Sequence, residues 1–194
     1  MTWGPEVTIS HNLGQGFTDV RCCLEGATID AVTGRMYAAF EAAGPGDEDP
    51  VMLSSSTDGL TWTPPLTVSQ GDAPGVEEIN VAVSALGGEV FVSYGVRTDP
   101  DNNGGFVQQK LATSFDGGAT FASTMNLGPV SALQWAAQAG GLFPGDYIGA
   151  AVSGQWLYLV WCVSSRPPTP ATFHQTLFQC HAADLTVLTR KRRR

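Results

Sequence analysis

The sequence is poor in charge and in long apolar runs, and each shortage excludes a class of protein. Only 14% of the 194 residues are charged and 43% are hydrophobic, so the composition is that of a folded chain and not of a disordered tail. No apolar run reaches the roughly 18 residues that a membrane helix requires, so we expect no membrane partner. The first residues lack the basic and apolar segments of a signal peptide, which predicts a protein that stays where it is made.

Cysteine is also scarce. Four cysteines are too few for a disulfide scaffold, and no CxxC spacing indicates a zinc site. Cys22 and Cys23 are adjacent, so on a strand their side chains point to opposite faces. Cys162 and Cys180 lie on either side of a predicted loop. They are either cross-strand partners in a disulfide or two free buried thiols.

Positive charge is the rarer sign, with a net charge of -8 and an isoelectric point near 4.6. An acidic surface repels phosphate backbones, so we expect no nucleic-acid partner. The exception is a basic tail over residues 190–194, Arg-Lys-Arg-Arg-Arg. A run of this kind is able to bind nucleic acid or act in targeting, but we interpret it as a solvated terminus.

Helical periodicity is missing as well. The 23 glycines and 12 prolines interrupt the chain at short intervals, which favours many short strands joined by turns. The best helical candidate is a single turn within Ser131–Ala139, around Trp135.

What the sequence does contain is a repeat. Two segments follow the pattern Ser-x-Asp-(x)-Gly-x-Thr-aromatic, and Thr2-Trp3 matches the end of a third copy. The aromatic residues Trp3, Trp62 and Phe121 are spaced 59 residues apart. The motif residues of the two full copies are Ser56, Asp58, Gly59, Thr61, Trp62 and Ser114, Asp116, Gly118, Thr120, Phe121.

Each interval between motifs holds the same predicted strands. A short β-rich segment follows each aromatic residue, then come an apolar hairpin with a glycine turn and a third strand such as Gln108–Thr113. The β-rich segments are Glu6–Ser10, Leu66–Ser69 and Met125–Leu127, and the hairpins are Ala27–Phe40, Val81–Tyr94 and Ile148–Trp161. Four strands per repeat of this length are typical of a propeller blade.

The sequence therefore predicts an all-β partial propeller of about three four-stranded blades. The blades cover residues 4–62, 63–121 and 122–189, in a single domain spanning 1–189. Physically, the motif closes the hairpin between a blade's third and fourth strands: the Asp side chain accepts amide hydrogen bonds, and glycine permits the tight reversal.

These motifs resemble the Asp-box, or BNR, repeats of sialidases and related propellers. The copy at 114–121 matches fully, the copy at 56–62 is one residue shorter, and a third is absent from Gln179–Asp184. The resemblance covers residues 1–189. It implies a propeller fold, boxes remote from the substrate face and relatives that are often secreted.

Three blades fall short of the roughly four that a closed propeller requires, and the resemblance implies six. The half-motif at Thr2-Trp3 favours a piece of a longer protein. The alternatives are a homodimer that completes a six-bladed ring and an open wedge.

Ligands of propellers usually meet the loops that lead into the innermost strands. The candidate ligand-facing residues in those loops are Asp19, Arg21, Glu77, Glu78, Asp146 and Tyr147. Carboxylates with an arginine and a tyrosine suit glycan recognition, and the resemblance implies sialidase chemistry with an arginine cluster, a Tyr nucleophile with a Glu partner and an Asp acid/base. The sialidase arginine motif is absent, however, and the acids also fit a role in turn capping and solubility.

No residues show the spacing of a metal or cofactor site, so none is expected. The oxygen-rich loop Asp99–Gly105 is a weak Ca²⁺ candidate because it lacks EF-hand spacing, and Asp47–Asp49 is similar. We therefore predict a non-catalytic propeller module that binds a glycan or a protein. The alternative is a part of an exo-α-sialidase-like glycoside hydrolase.

Overall fold

The computed structural model describes residues 4–11, 24–43, 49–69, 72, 76–99, 101–121, 124–170 and 174–182. These residues form three larger antiparallel sheets and one small ribbon, and within each of the three larger sheets the strands follow chain order. The first sheet contains β1 (Gly26–Ile29), β2 (Met36–Glu41), β3 (Val51–Ser56) and β4 (Leu66–Thr67). The second contains β5 (Glu77–Leu86), β6 (Glu89–Thr98), β7 (Phe106–Ser114) and β8 (Met125–Ala132). The ribbon pairs β9 (Ala137–Gln138) with β10 (Leu142–Phe143), and the third sheet contains β11 (Gly149–Ser153), β12 (Trp156–Ser164) and β13 (Gln175–Ala182).

The three predicted hairpins are confirmed as β1–β2, β5–β6 and β11–β12. Glycines with positive φ make their turns, among them Gly34 at 74° and Gly154 at 59°. The predicted helical turn is a 3-10 turn at Leu133–Trp135. The segment Glu6–Ser10 differs from its prediction, since these described residues belong to no strand.

The sheets stack side by side through apolar faces. Between the first and second sheets, Tyr37, Ala39 and Leu53 pack in one cluster with a strip on β6 made of Val90, Val92, Tyr94 and Val96. Between the second and third, Phe91 and Leu111 pack with the matching strip on β12, which is Leu157, Leu159, Trp161 and Val163. Each strip consists of alternate residues, because successive side chains on a strand point to opposite faces.

The innermost strands β1, β5 and β11 lie next to one another. Gly26 marks the close approach of β1 to β5: a Cβ there would lie 3.2 Å from the Ala82 Cα. Sheets that stack like this around adjoining inner strands are propeller blades, so the predicted all-β partial propeller is confirmed. The third sheet has three strands within the described residues.

The far face of the third sheet is more open than its counterparts. Tyr37, Phe91 and Tyr158 occupy matching positions on the second strands of the three sheets. The next sheet covers Tyr37 and Phe91, which are 1% and 0% exposed, whereas Tyr158 is 39% exposed.

The register of the third sheet separates the two later cysteines. Cys162 pairs with Leu177, and Cys180 pairs with Leu159. The interpretation of Cys162 and Cys180 as cross-strand partners is therefore wrong, because they lie three register positions apart. Cys162 is a partly exposed free thiol.

Each sheet has two distinct ends. We call the end with the inner hairpin turns and the two Asp-box segments the turn end, and the opposite end, where the chain enters β1, β5 and β11, the loop end. Across the part of the chain that the structure describes, no helix has the length and apolar character to span a membrane.

Candidate ligand-binding groove

An open groove lies where the three innermost strands meet. Its lining comes from the start of the first sheet, from the middle of β5 and from the loop before β11, namely Leu24–Ala27, Val81–Val83 and Asp146–Ala150. Most of these residues are apolar, while Glu25 and Asp146 contribute carboxylates. Tyr147 is 84% exposed, the highest value among the exposed large hydrophobic residues. A mainly apolar cleft with a few polar groups is the usual form of a ligand site.

Asn80 positions the loop that carries Asp146 and Tyr147. Its side-chain amide donates a hydrogen bond of 2.8 Å to the carbonyl oxygen of Gly145. Asn80 itself has φ of 54° and lies in the bulge between Ile79 and Ala82, which turns its side chain out of the regular pleat. Sequence reasoning did not single out Asn80, although an Asn within a run of strand-forming residues was a usable signal.

Glu77 lies between the second and third sheets rather than in the groove. Its Oε2 is 2.6 Å from the Nη1 of Arg97, and the Arg97 Nε donates to the Gly104 carbonyl at 2.8 Å. The Arg97 side chain is fully buried. This arginine is therefore held in a structural ion pair.

Glu78 points to the opposite interface, between the first and second sheets. Its Oε2 accepts the backbone N–H of Val51 on β3 at 2.6 Å. Burial raises the pKa of Glu78 to about 7, with a further contribution from Asp72. Asp72 in turn accepts the hydroxyl of Tyr94 at 3.0 Å and pairs with Lys110.

The structure thus divides the six predicted ligand-facing residues. Asp146 and Tyr147 line the groove, and Glu25 joins them there although the sequence analysis did not name it as a candidate. Glu77 and Glu78 lie at two different sheet interfaces. Asp19 and Arg21 fall outside the described residues.

The Asp-box segments lie at the turn end, away from the groove. In the longer segment, Ser114 donates to the Asp116 carboxylate at 2.7 Å and accepts the Gly118 amide at 3.0 Å. Asp116 Oδ1 also accepts the Thr120 amide at 2.9 Å. Hydrogen bonds with Thr120, and others with Ser114, lower the pKa of Asp116 to about 2.

The shorter segment reaches a similar arrangement with one residue fewer. Ser56 donates to Asp58 at 3.0 Å and accepts the Gly59 amide at 2.8 Å. Asp58 accepts the amides of Leu60 and Thr61 at 2.8 and 2.7 Å. Both segments keep the Ser–Asp contact, so the missing residue shortens the turn without removing the clasp.

A further clasp at the turn end joins two sheets. Asp30 is fully buried and accepts the amides of Val32 and Thr33 in its own turn. It also accepts those of Gly87 and Gly88 in the β5–β6 turn, at 2.9 and 2.7 Å. Burial raises the pKa of Asp30, but these four amides more than offset it and hold the pKa well below its ordinary value.

The loop from Asp99 to Gly105 is held by its own hydrogen bonds. The backbone and side-chain nitrogens of Asn102 both donate to Asp99, each at 3.0 Å. Within the described residues, no three His, Cys, Asp or Glu side chains are grouped so that they could hold a metal ion. The Ca²⁺ candidate therefore stays a prediction.

No protein-family model matches the sequence, and no curated protein matches it. Solved structures do match in part. A structure of a complex of BT0996 and RGII has 15% identity and a TM-score of 0.48, over 82% of this chain and 45% of the matched protein. One named "Glycoside hydrolase" has 14% identity and a TM-score of 0.45, over 81% and 45%. The GH43 endo-arabinanase from Bacillus licheniformis has 11% identity and a TM-score of 0.36, over 88% and 74%.

The chain thus spans less than half the length of the first two structures that it matches. Likenesses this distant leave the activity of the chain open.

Proposed function

We propose that this chain is a non-catalytic propeller module that binds a glycan in the groove between β1, β5 and β11. The observation that carries the proposal is the ring of Tyr147, 84% exposed where the groove is formed and adjacent in the chain to Asp146. A large exposed aromatic ring at a cleft is typical of a binding surface, since the ring offers an apolar face to the C–H groups of a sugar. The carboxylates of Glu25 and Asp146 supply hydrogen-bond acceptors for sugar hydroxyls.

The buried acids support binding rather than hydrolysis. Glycoside hydrolysis requires a carboxylic acid of raised pKa that faces the substrate beside a second carboxylate. The carboxyls of raised pKa that lie deepest in the described residues are Glu41 and Glu78, and both lie between sheets instead of lining the groove. Arg97, the buried arginine nearest in sequence to the loop end, is already paired with Glu77.

We also propose that the two clasped turns belong to the Asp-box class of sialidase-type propellers. The Ser–Asp contacts at 3.0 and 2.7 Å and the amides that each Asp accepts support this placement. In this proposal the boxes stabilise hairpins and take no part in ligand binding.

A glycan array that covers neutral, amino and acidic sugars tests the proposal, followed by calorimetry on the best glycan. We expect Tyr147→Ala to weaken binding at least tenfold. Trp156→Ala is the matched control, because Trp156 is also an exposed aromatic residue, 47% exposed, but lies outside the groove lining. Equal binding by wild type and Tyr147→Ala would contradict the groove as the site. Turnover of a fluorogenic sialoside by the purified chain would contradict the non-catalytic assignment.

A further inference from the structure

The contact between the first and second sheets contains a buried carboxyl group, Glu41, near the loop end. We propose that this contact is a pH-sensitive joint, tight while the Glu41 carboxyl is neutral and loosened when it becomes charged. The proposal concerns the fold itself and does not depend on the glycan assignment.

Glu41 faces the second sheet. On β2 the alternate residues Tyr37, Ala39 and Glu41 share one face, and the first two belong to the apolar cluster shared with the second sheet. Glu41 is 6% exposed, and its Oε1 atom is buried without a hydrogen-bond partner. A neutral carboxyl tolerates such a place far better than a carboxylate, because burial removes the water that stabilises the charge.

The charged groups that act on Glu41 oppose its ionisation. Glu25, just before β1, and Asp49, just before β3, are both acids. The backbone amides of Glu41 itself and of Asn80 on β5 act in the other direction, but they do not offset the effect of burial. Burial, with the two acids adding to it, raises the pKa of Glu41 to about 8.

Glu78, the other buried carboxyl at this interface, has a different environment. It accepts the Val51 amide at 2.6 Å, and its neighbour Asp72 is paired with Lys110 and bonded to the Tyr94 hydroxyl. A charge on Glu78 therefore has hydrogen bonds to stabilise it and a lysine nearby. The Glu77–Arg97 pair lies on the opposite face of the second sheet. Glu41 is thus the group whose charge this interface is least able to accommodate.

The direction of the pH effect follows from linkage. Between the ordinary value of 4.5 and about 8, the folded chain keeps a proton on Glu41 that the unfolded chain releases. Stability is therefore lost as pH rises through this window. Glu25 also lines the groove, so the same charge change acts on a groove residue.

Glu41→Gln tests the joint, because the amide keeps the shape of the neutral carboxyl and does not ionise. From pH 6 to pH 9, the folded-to-unfolded ratio of the wild type should fall by roughly two orders of magnitude more than that of E41Q, measured by urea unfolding. Glu6→Gln, at an exposed glutamate, is the matched control and should behave as the wild type. Parallel pH profiles of E41Q and wild type would overturn the proposal.

Hydrogen exchange on the wild type provides a second measurement that needs no variant. After correction for intrinsic exchange rates, β2, β3 and β5 should lose amide protection reversibly with a midpoint near pH 8, while β12 keeps its protection. A loss spread evenly over all three sheets, or no loss below pH 9, would overturn the proposal.

Discussion

The two ends of the sheets hold their polar groups in different ways. At the turn end, Asp58 and Asp116 accept amides two to four residues further along the chain. At the loop end, Glu77 is paired with a residue 20 positions away, and Glu78 accepts an amide 27 positions away in another sheet. Local partners form wherever the motif occurs, whereas distant partners exist only when the sheets have stacked. The loop end is therefore where buried charge, and with it ligand binding and pH response, depends on the assembled fold.

The largest effect should come from breaking the ion pair at the loop end. Glu77→Gln leaves the fully buried Arg97 without its carboxylate, and we expect a loss of about 3 kcal/mol in the free energy of unfolding. Urea unfolding followed by tryptophan fluorescence measures it. Asp101→Asn, at an exposed loop residue, is the control and should change little. A loss below about 0.5 kcal/mol for Glu77→Gln would show that the pair is not needed by the stacked sheets.

A somewhat smaller effect is expected at Asp30, the turn-end residue that joins two sheets. Asp30→Ala leaves four backbone amides without their acceptor, which should lower the free energy of unfolding by about 2 kcal/mol. Since the folded pKa is depressed, the stability from Asp30 is present above its ordinary pKa near 3.8 and is lost as pH falls below it. Asp30→Asn should therefore lose less stability than the wild type between pH 5 and pH 2.5. Identical acid profiles of the two proteins would contradict this account.

The two Asp-box serines should matter less and nearly equally. Ser114→Ala and Ser56→Ala each remove a buried hydroxyl that bonds an Asp and a glycine amide, so each should cost about 1 kcal/mol. Thermal unfolding of the two variants side by side measures the difference. A much smaller loss for Ser56→Ala would show that the shorter turn is less firmly clasped than its geometry indicates.

The smallest effect on stability is expected at Tyr147. With 84% of its surface exposed, Tyr147→Ala should change the free energy of unfolding by less than about 0.5 kcal/mol. This variant separates binding from folding, so a lost glycan signal would report on the groove and not on the fold. A large loss of stability would instead show that Tyr147 supports the loop before β11.

The turn end was predictable because its signals are local. The three hairpins and the clasped segments follow from strand-forming residues, from glycine at positive φ and from Ser and Asp side chains that bond nearby amides. The candidate site was predictable only in part. Asp146 and Tyr147 lie in the groove, but Glu77 and Glu78 lead to two different interfaces, because adjacent strand residues face opposite ways.

The sequence by itself determined the all-β repeat, the hairpins and their turns, since each depends on residues that are neighbours along the chain. Only the tertiary structure decided that Arg97 is locked in an ion pair, that Asn80 supports the groove loop and that Glu41 is buried without a partner for Oε1. The physical reason is that burial and charge environment are properties of stacked sheets, and residues far apart in sequence create them together.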